Sequence, residues 1–390
     1  MSEAREMLDL AARLGVRGLG RVEPNPLVGC VIVRPGDGPA WSRIIGMGHH
    51  RVYGGPHAEA EALDDCRRRG QSPVGATVYV TLEPCNAPGR NPACVEGLIR
   101  AGVAKVVYAR PDPTPGKGGG AATLTAAGVV SELCTECARA TRLSDPFVTR
   151  ALTSRPYVIL KWAQTIDGKV ATRSGQSQWI SGEKSRHDVH LLRGRVDAVV
   201  TGLGTLRADN PRLTARGVPL RRIARRVLID PRLSAITGGG GLGAIRALEG
   251  SEHVPVSVVC VKPTGADGQL ESLGQRLRER GIDLLALAPA TPGALRVDLH
   301  AMFGVLRERY AVSSALVEAG PSLVGSLLRE GLADECRVYV GPLLMGDQAA
   351  PSAASVGELT ALSDAARWSL HDVRAMGPDV RMVYLRHPMR

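Results

Sequence analysis

Short apolar runs alternate with longer amphipathic stretches along the whole chain. Near the start, Leu8, Ala11, Ala12 and Leu14 fall on one helical face. Apolar runs at 27–33, 43–48, 76–82 and 104–109 predict strands, the third reading as buried along its length. Helical spacing runs from His57 to about Arg69, from 92 to 100, and from 132 to 142. The stretch 111–120 holds three prolines and four glycines and predicts a loop. A second alternating series follows. Strands are expected at 157–162, 198–201, 227–229, 256–261, 315–317, 337–340 and 382–385, with helices at 183–193, 270–280, 299–309 and 322–330. Residues 235–250, with the run Gly238–Gly243, read as a flexible surface loop. Alternating helices and strands in both halves make this an α/β protein. A length of 390 residues suits two domains. The prolines at 146 and 156 place a linker at 146–155, between domains spanning 1–145 and 156–390.

The first half carries the clearest chemistry. His57, Cys85 and Cys94 are three zinc-ligand types, and Glu59 is a carboxylate two residues after the histidine. Three protein ligands leave the fourth position of a tetrahedral zinc open, as catalytic sites do. One bound zinc can lower the pKa of water from about 15.7 to about 7. Glu59 is then free to carry protons, the division of labour found in zinc deaminases of bases and nucleosides. His57 opens one helical pattern and Cys94 falls in the first turn of another. Two positive helix ends would thus converge on the thiolates. A closed structural zinc site would need a fourth Cys or His and would have no use for Glu59.

Charge and composition narrow the partner. The formal net charge is +11, but residues 1–145 hold 17 basic and 15 acidic residues against 32 and 23 in the remainder. The zinc half is nearly neutral, and aromatic residues are 3% of the chain. A nucleic-acid-editing deaminase would need a basic surface and stacking rings around the metal, so a phosphorylated small molecule fits better. No apolar run is long enough to span a membrane, and the N-terminus lacks the apolar core of a signal peptide. Eight cysteines in 390 residues suit the reducing cytoplasm rather than a disulfide scaffold. Cys134 and Cys137 form an extra C-x-x-C that reads as ordinary buried thiols on a helix, with a redox pair or a second metal site, which lacks a matching second pair, as the alternatives.

In the second half no G-x-G-x-x-G follows the first strand, so a Rossmann site is not indicated. Two glycine-bearing turns offer backbone N–H groups to a phosphate: Gly202–Thr205 and Glu318–Ser326.

At this point the residues match a family. The signatures are Pro24-Asn25-Pro26-x-Val28-Gly29, Gly48-x-His50-x3-Gly54-x2-His57-Ala58-Glu59, Thr81-Leu82-Glu83-Pro84-Cys85, Gly89-Arg90 and Cys94. Eight residues separate the two cysteines, where nucleic-acid deaminases have two. The second half adds Arg155-Pro156-Tyr157-Val158, Lys161-x-Ala163-x2-Ile166-Asp167-Gly168, Gly175-x-Ser177-x-Trp179-Ile180, His190-x-Leu192-Arg193 and Ala208-Asp209-Asn210-Pro211-x-Leu213-Thr214, then Arg216. Over nearly its whole length the chain resembles the bifunctional riboflavin-biosynthesis deaminase-reductases.

The resemblance implies a cytidine-deaminase-like three-layer domain followed by a dihydrofolate-reductase-like domain. It implies zinc-dependent deamination of 2,5-diamino-6-ribosylamino-4(3H)-pyrimidinone 5′-phosphate, then NADPH-dependent reduction of the ribosyl chain to ribityl. Glu59 would move protons, and Asn25 and His50 would orient the pyrimidine. Ala163, Trp179, Thr205, Asp209, Gly320, Pro321, Ser322, Leu323, Val324, Gly325 and Ser326 would lie near NADPH. Ser177, Arg193, Leu213, Arg216 and Glu318 would contact the substrate, with Arg193 and Arg216 suited to its 5′-phosphate. Lys161 and Glu318 are candidate proton handlers in the reduction. The family also implies a homo-oligomer formed through the reductase domain. A deaminase joined to a catalytically silent reductase-like domain is the competing reading. Four positions depart from the family pattern. Asn86-Ala87 stands for Ser-His, Thr114 for Asn, and Ala319 for the first Gly of Glu-Gly-Gly.

Overall fold

A computed structural model describes residues 2–238, 241–263, 267–358 and 360–386. The chain divides into two compact units, Met1–Ser154 and Arg155–Arg390.

The first unit is a three-layer α/β sandwich. Its strands are β1 (Gly29–Val33), β2 (Ile44–His49), β3 (Thr77–Val80), β4 (Lys105–Tyr108) and β5 (Val130–Leu133), in the order β2-β1-β3-β4-β5. β1 is antiparallel to β2 and β3, while β3, β4 and β5 run parallel. Its helices are α1 (Glu3–Gly15), α2 (Ala58–Arg68), α3 (Cys94–Arg100), α4 (Gly120–Ala126), α5 (Ala138–Arg142) and α6 (Asp145–Leu152). The period-2 alternation of strands divides the core between two faces. Cys30, Ile32, Val78 and Val80 pack with Ala58, Ala62 and Leu98 of α2 and α3. Val31, Val33 and Tyr79 pack with Met7, Leu8 and Ala11 of α1.

Two glycines set how closely α2 lies on β2. A Cβ at Gly48 would sit 2.3 Å from the Ala58 carbonyl oxygen, and one at Gly46 would sit 2.4 Å from that of Ala62. Both obstacles are backbone atoms, so α2 reaches its position only because these residues lack side chains.

Two expectations are corrected here. Residues 132–137 are not helical: β5 occupies Val130–Leu133 and α5 starts at Ala138. Parallel pairing of β5 with β4 overrides the local helix preference of Ser-Glu-Leu. Cys134 and Cys137 therefore lie between elements rather than on a helix, as free buried thiols. The stretch expected as a linker is helical over Asp145–Leu152. Pro146 does not prevent this because it lies in the first turn, where its missing N–H is not needed.

The second unit holds one nine-stranded sheet. Its strands are β6 (Tyr157–Gln164), β7 (Ala198–Gly202), β8 (Arg225–Ile229), β9 (Val256–Val261), β10 (Ile282–Leu287), β11 (Ser314–Val317), β12 (Glu335–Val340), β13 (Trp368–Met376) and β14 (Asp379–Arg386). Their order is β10-β9-β8-β7-β11-β6-β12-β14-β13. The first seven in that order are parallel, and β14 and β13 return antiparallel. Helices α7 (Glu183–Arg193), α8 (Leu203–Asp209), α9 (Asp267–Arg278), α10 (Leu299–Tyr310) and α11 (Pro321–Arg329) complete it. One face of the sheet packs on α10 and α11 through Met302, Phe303 and Leu327. The other packs on Leu192, Leu206 and Leu277 from α7, α8 and α9.

The 235–250 stretch is not a free loop. Ile236, Ile245, Ala247 and Leu248 are buried in that second core, and residues 242–244 and 246–248 form 3₁₀ turns. Gly239 and Gly240 lie outside the described residues. Among the described residues no helix is long and apolar enough to cross a membrane.

The glycine contact yields a prediction. Gly48→Ala should destabilise the first unit by about 1–3 kcal/mol, because the obstructing backbone cannot yield as a side chain would. Urea unfolding and bound zinc measured together check this. Both should fall, and an unchanged midpoint with full zinc would refute the contact's role.

Candidate active sites

In the first unit, His57 is the N-cap of α2, Cys85 follows β3, and Cys94 is the first residue of α3. His57 Nδ1 lies 3.2 Å from Cys94 Sγ and 3.5 Å from Cys85 Sγ. The three ligand atoms all fall within 4.8 Å of one another. Zinc–nitrogen and zinc–sulfur bonds of about 2.0 and 2.3 Å fit that triangle, and one imidazole with two sulfurs is a zinc donor set. The residues therefore fit one zinc ion. The Cys94 N–H donates to Cys85 Sγ at 3.3 Å. The Cys85 thiol is lowered to about 4, first by the hydrogen bond from the Cys94 thiol, then, against burial, by His57. Cys94 is raised, so the pair's first negative charge rests on Cys85.

Glu59, in the first turn of α2, is 4% exposed. Burial raises its carboxyl to about 6, opposed by the positive charge of His57. A carboxyl there exchanges protons readily near neutrality. His50 is buried, and burial lowers its pKa. Its Nδ1–H donates to the Pro56 carbonyl at 2.8 Å, so Nε2 is the acceptor of the Asn25 side-chain N–H at 3.3 Å. This orients Asn25 and leaves its carbonyl oxygen for a ligand.

A cavity of about 110 Å³ opens beside the three ligands, bounded by Asn25, His50, Glu59, Thr114, Lys117 and Phe147 among others. The last three were not singled out from sequence as site residues. Thr114 and Lys117 come from the loop after β4, and α6 brings in Phe147. Their signal was positional: in parallel sheets, ligands gather beyond the carboxyl ends of the strands. Glu83 accepts N–H groups of Asp112 and Ala121, fixing that loop.

In the second unit the candidate residues gather at the carboxyl ends of β6, β7 and β11, neighbours in the sheet. Glu318 follows β11 and forms a two-pronged ion pair with Arg193, at 2.5 and 2.8 Å. Lys161 Nζ stands 3.9 Å from the same carboxylate. Burial alone would raise Glu318, but Arg193 and Lys161 outweigh it and hold it at about 2. Burial lowers the Lys161 ammonium, with Glu318 opposing. The third Arg193 nitrogen, Nη1, donates to the Thr214 carbonyl. Its fork therefore faces Glu318, and Arg216, whose guanidinium bonds only Thr214 among the described residues, is the more available cation. Ser177 donates to Asp209 at 3.0 Å, linking two further candidates.

The turn entering α11 fits a dinucleotide phosphate. Gly320 is the N-cap and provides no side chain to cap the first N–H groups. A Cβ at Gly320 would meet Thr205 Oγ1 at 3.9 Å, which places the two expected cofactor turns side by side. Trp179 is 66% exposed, with the Arg186 guanidinium 4.6 Å above its ring. Ala163 lies in β6 near its carboxyl end.

The chain is similar to known proteins along both units. Residues 1–110 match the cytidine and deoxycytidylate deaminase zinc-binding region, and residues 156–382 match the RibD C-terminal domain. The chain is 37% identical over 374 residues to riboflavin biosynthesis protein RibD of Escherichia coli (95% of this chain, 96% of that protein). It is 34% identical over 388 residues to that of Aquifex aeolicus (98% of each). Among solved structures, Acinetobacter baumannii RibD superposes with a TM-score of 0.77 at 34% identity, covering 99% of both chains. The deaminase/reductase of Thermotoga maritima gives 0.77 at 28% identity, again over 99% of both.

Removing one ligand should empty the metal site. Cys94→Ser should lose most of its zinc by elemental analysis while the second unit stays folded; full zinc retention would break the ligand assignment.

Proposed function

Because the chain belongs to the RibD family of riboflavin-biosynthesis proteins, we propose that the His57–Cys85–Cys94 cluster and the Glu318-centred cleft each carry one of that family's two reactions. The chain is a bifunctional enzyme using Zn²⁺ and NADPH. It hydrolytically deaminates 2,5-diamino-6-ribosylamino-4(3H)-pyrimidinone 5′-phosphate and then reduces the ribosyl side chain to ribityl. The observation that carries the first assignment is the placing of three ligand atoms within 4.8 Å beside a buried carboxyl poised at about 6.

His57, Cys85 and Cys94 would hold the zinc, which when bound would supply the Lewis acidity that makes water nucleophilic at neutral pH. Glu59 takes the proton released by water and gives it to the ring nitrogen, then takes the proton of the newly added hydroxyl and gives it to the leaving amine, a shuttle suited to its raised pKa. Asn25, held by neutral His50, accepts from the pyrimidine through its free carbonyl. Lys117 lends positive charge to the pocket that receives a phosphorylated substrate. The Thr114 hydroxyl is buried without a partner, so it can bond the substrate from the position where the family has Asn.

In the second site, NADPH supplies the reducing equivalents when bound. The uncapped turn at Gly320–Ser322 and neighbouring Thr205 receive its phosphates, with Ala163, Trp179 and Asp209 around it. Glu318 keeps Arg193 and Lys161 fixed, and Lys161 stands ready to donate a proton to the reduced sugar oxygen. Arg216 is the phosphate ligand, since Arg193 is held by Glu318 while the Arg216 guanidinium bonds only Thr214 among the described residues. Ser177 and Leu213 border the sugar. We take the partner to be this small molecule rather than nucleic acid, supported by the near-neutral first half. Exposed Leu370, Val373 and Val380 on the outer β13–β14 ribbon support pairing with a second copy through the second unit. Eight free cysteines support a reducing, cytoplasmic setting.

Two variants separate the sites. Glu59→Gln should keep zinc and NADPH oxidation with the deaminated intermediate, while deamination falls by about 10²–10⁴-fold. Glu318→Ala should do the reverse, losing NADPH oxidation but not ammonia release. Loss of both activities in either variant would contradict two independent sites.

A further inference from the structure

The segment Leu213–Arg216 is held in a conformation that its own sequence disfavours. Leu213 has φ +57° and is 2% exposed. A buried, branched side chain in the left-handed region costs free energy, so contacts from elsewhere must impose it. One turn of α7 supplies them. Arg193 donates to the Thr214 carbonyl at 3.2 Å, and His190, three residues earlier on the same helical face, accepts the Arg216 backbone N–H on Nδ1 at 3.3 Å. The Arg193 end of this clamp is tied to Glu318.

We propose that His190 is a positioning residue of the reductase site: its neutral imidazole fixes the backbone from which Arg216 reaches the phosphate of the substrate. The inference rests on the reading of Arg216 as a substrate ligand. Only a neutral ring has a lone pair for the Arg216 N–H, because both nitrogens of the imidazolium are donors. The surroundings keep the ring in that form. Burial lowers its pKa to about 4, reinforced by Arg193 on its own helix and by Arg216 on the facing segment. The Thr214 carbonyl and the Glu318 carboxylate oppose this without reversing it. An ordinary histidine, near 6.5, would gain charge just below neutrality and release the segment. Here the bond persists through that range. Burial of the ring, with the neighbouring arginines adding to it, therefore keeps the clamp closed.

The test compares His190→Phe, His190→Asn and Arg216→Ala in the full-length zinc-loaded enzyme, with steady-state reduction of the deaminated intermediate, NADPH binding by fluorescence titration, and deamination. His190→Phe keeps a ring but offers no acceptor. It should raise KM for the intermediate about tenfold with kcat within about twofold. NADPH affinity and deamination should stay unchanged. His190→Asn places an amide oxygen near the position of Nδ1 and should recover most of the loss. For wild type, KM should show no inflection near pH 6.5 beyond the one that the substrate phosphate imposes on every variant. If Arg216→Ala raises KM but His190→Phe does not, the positioning role is wrong. If Arg216→Ala leaves KM unchanged, the substrate reading fails and the proposal with it. A rise in KM centred near pH 6.5 that disappears in His190→Asn would overturn it without relying on the Phe variant's folding.

Discussion

The closeness of α2 to β2 is the constraint on which the deaminase half depends. Because Gly46 and Gly48 present no side chains, α2 lies against the strand, with its cap His57 beside the ends of β3 and α3. Everything else at the metal follows from that approach. Cys85 arrives from the strand end, Cys94 from a helix start, and Glu59 is carried inward on the first turn of α2. The same helix thus provides a candidate ligand and a buried carboxyl two residues apart. Burial does double duty. It raises the Glu59 carboxyl towards neutrality and keeps His50 neutral, so that its two nitrogens have opposite hydrogen-bonding roles.

The reductase half solves a different problem with the same geometry. Its groups also lie beyond the carboxyl ends of parallel strands, where side chains and helix starts from separate segments converge. Instead of a metal, a carboxylate organises the site. Glu318 pairs with Arg193 and approaches Lys161, holding two cations that would otherwise repel each other. A buried carboxylate between two cations is well compensated, whereas removing it would leave both unpaired. The arginine tied down in this way is a scaffold element as much as a ligand, which leaves Arg216 as the group free to meet a phosphate.

Residue type and spacing made the metal site legible. His57, Glu59, Cys85 and Cys94 state their chemistry in one short stretch, and the apolar runs located most strands. What was not legible depends on distance along the chain. The partner of Arg193 is 125 residues away, so the sequence did not show that its fork meets a carboxylate. Phe147 sits just after a proline that reads as a domain junction, yet a proline in the first turn of a helix is harmless, and α6 delivers that ring to the pocket. α8 escaped notice because seven residues including a glycine give too little periodicity. β13 escaped because it lies at the sheet edge with exposed residues on both faces and no clean alternation. Thr114 and Lys117 belong to a Pro/Gly loop that is fixed by contacts with Glu83 and Asn86 as well as by its own turns.

The most direct measurement of the central claim is zinc-edge X-ray absorption on the purified protein, together with its metal content. One zinc per chain is expected, with two sulfurs at about 2.3 Å, one nitrogen at about 2.0 Å and one oxygen completing the tetrahedron. A shell of four protein nitrogen and sulfur ligands with no oxygen, or a protein that binds no zinc, would contradict the account.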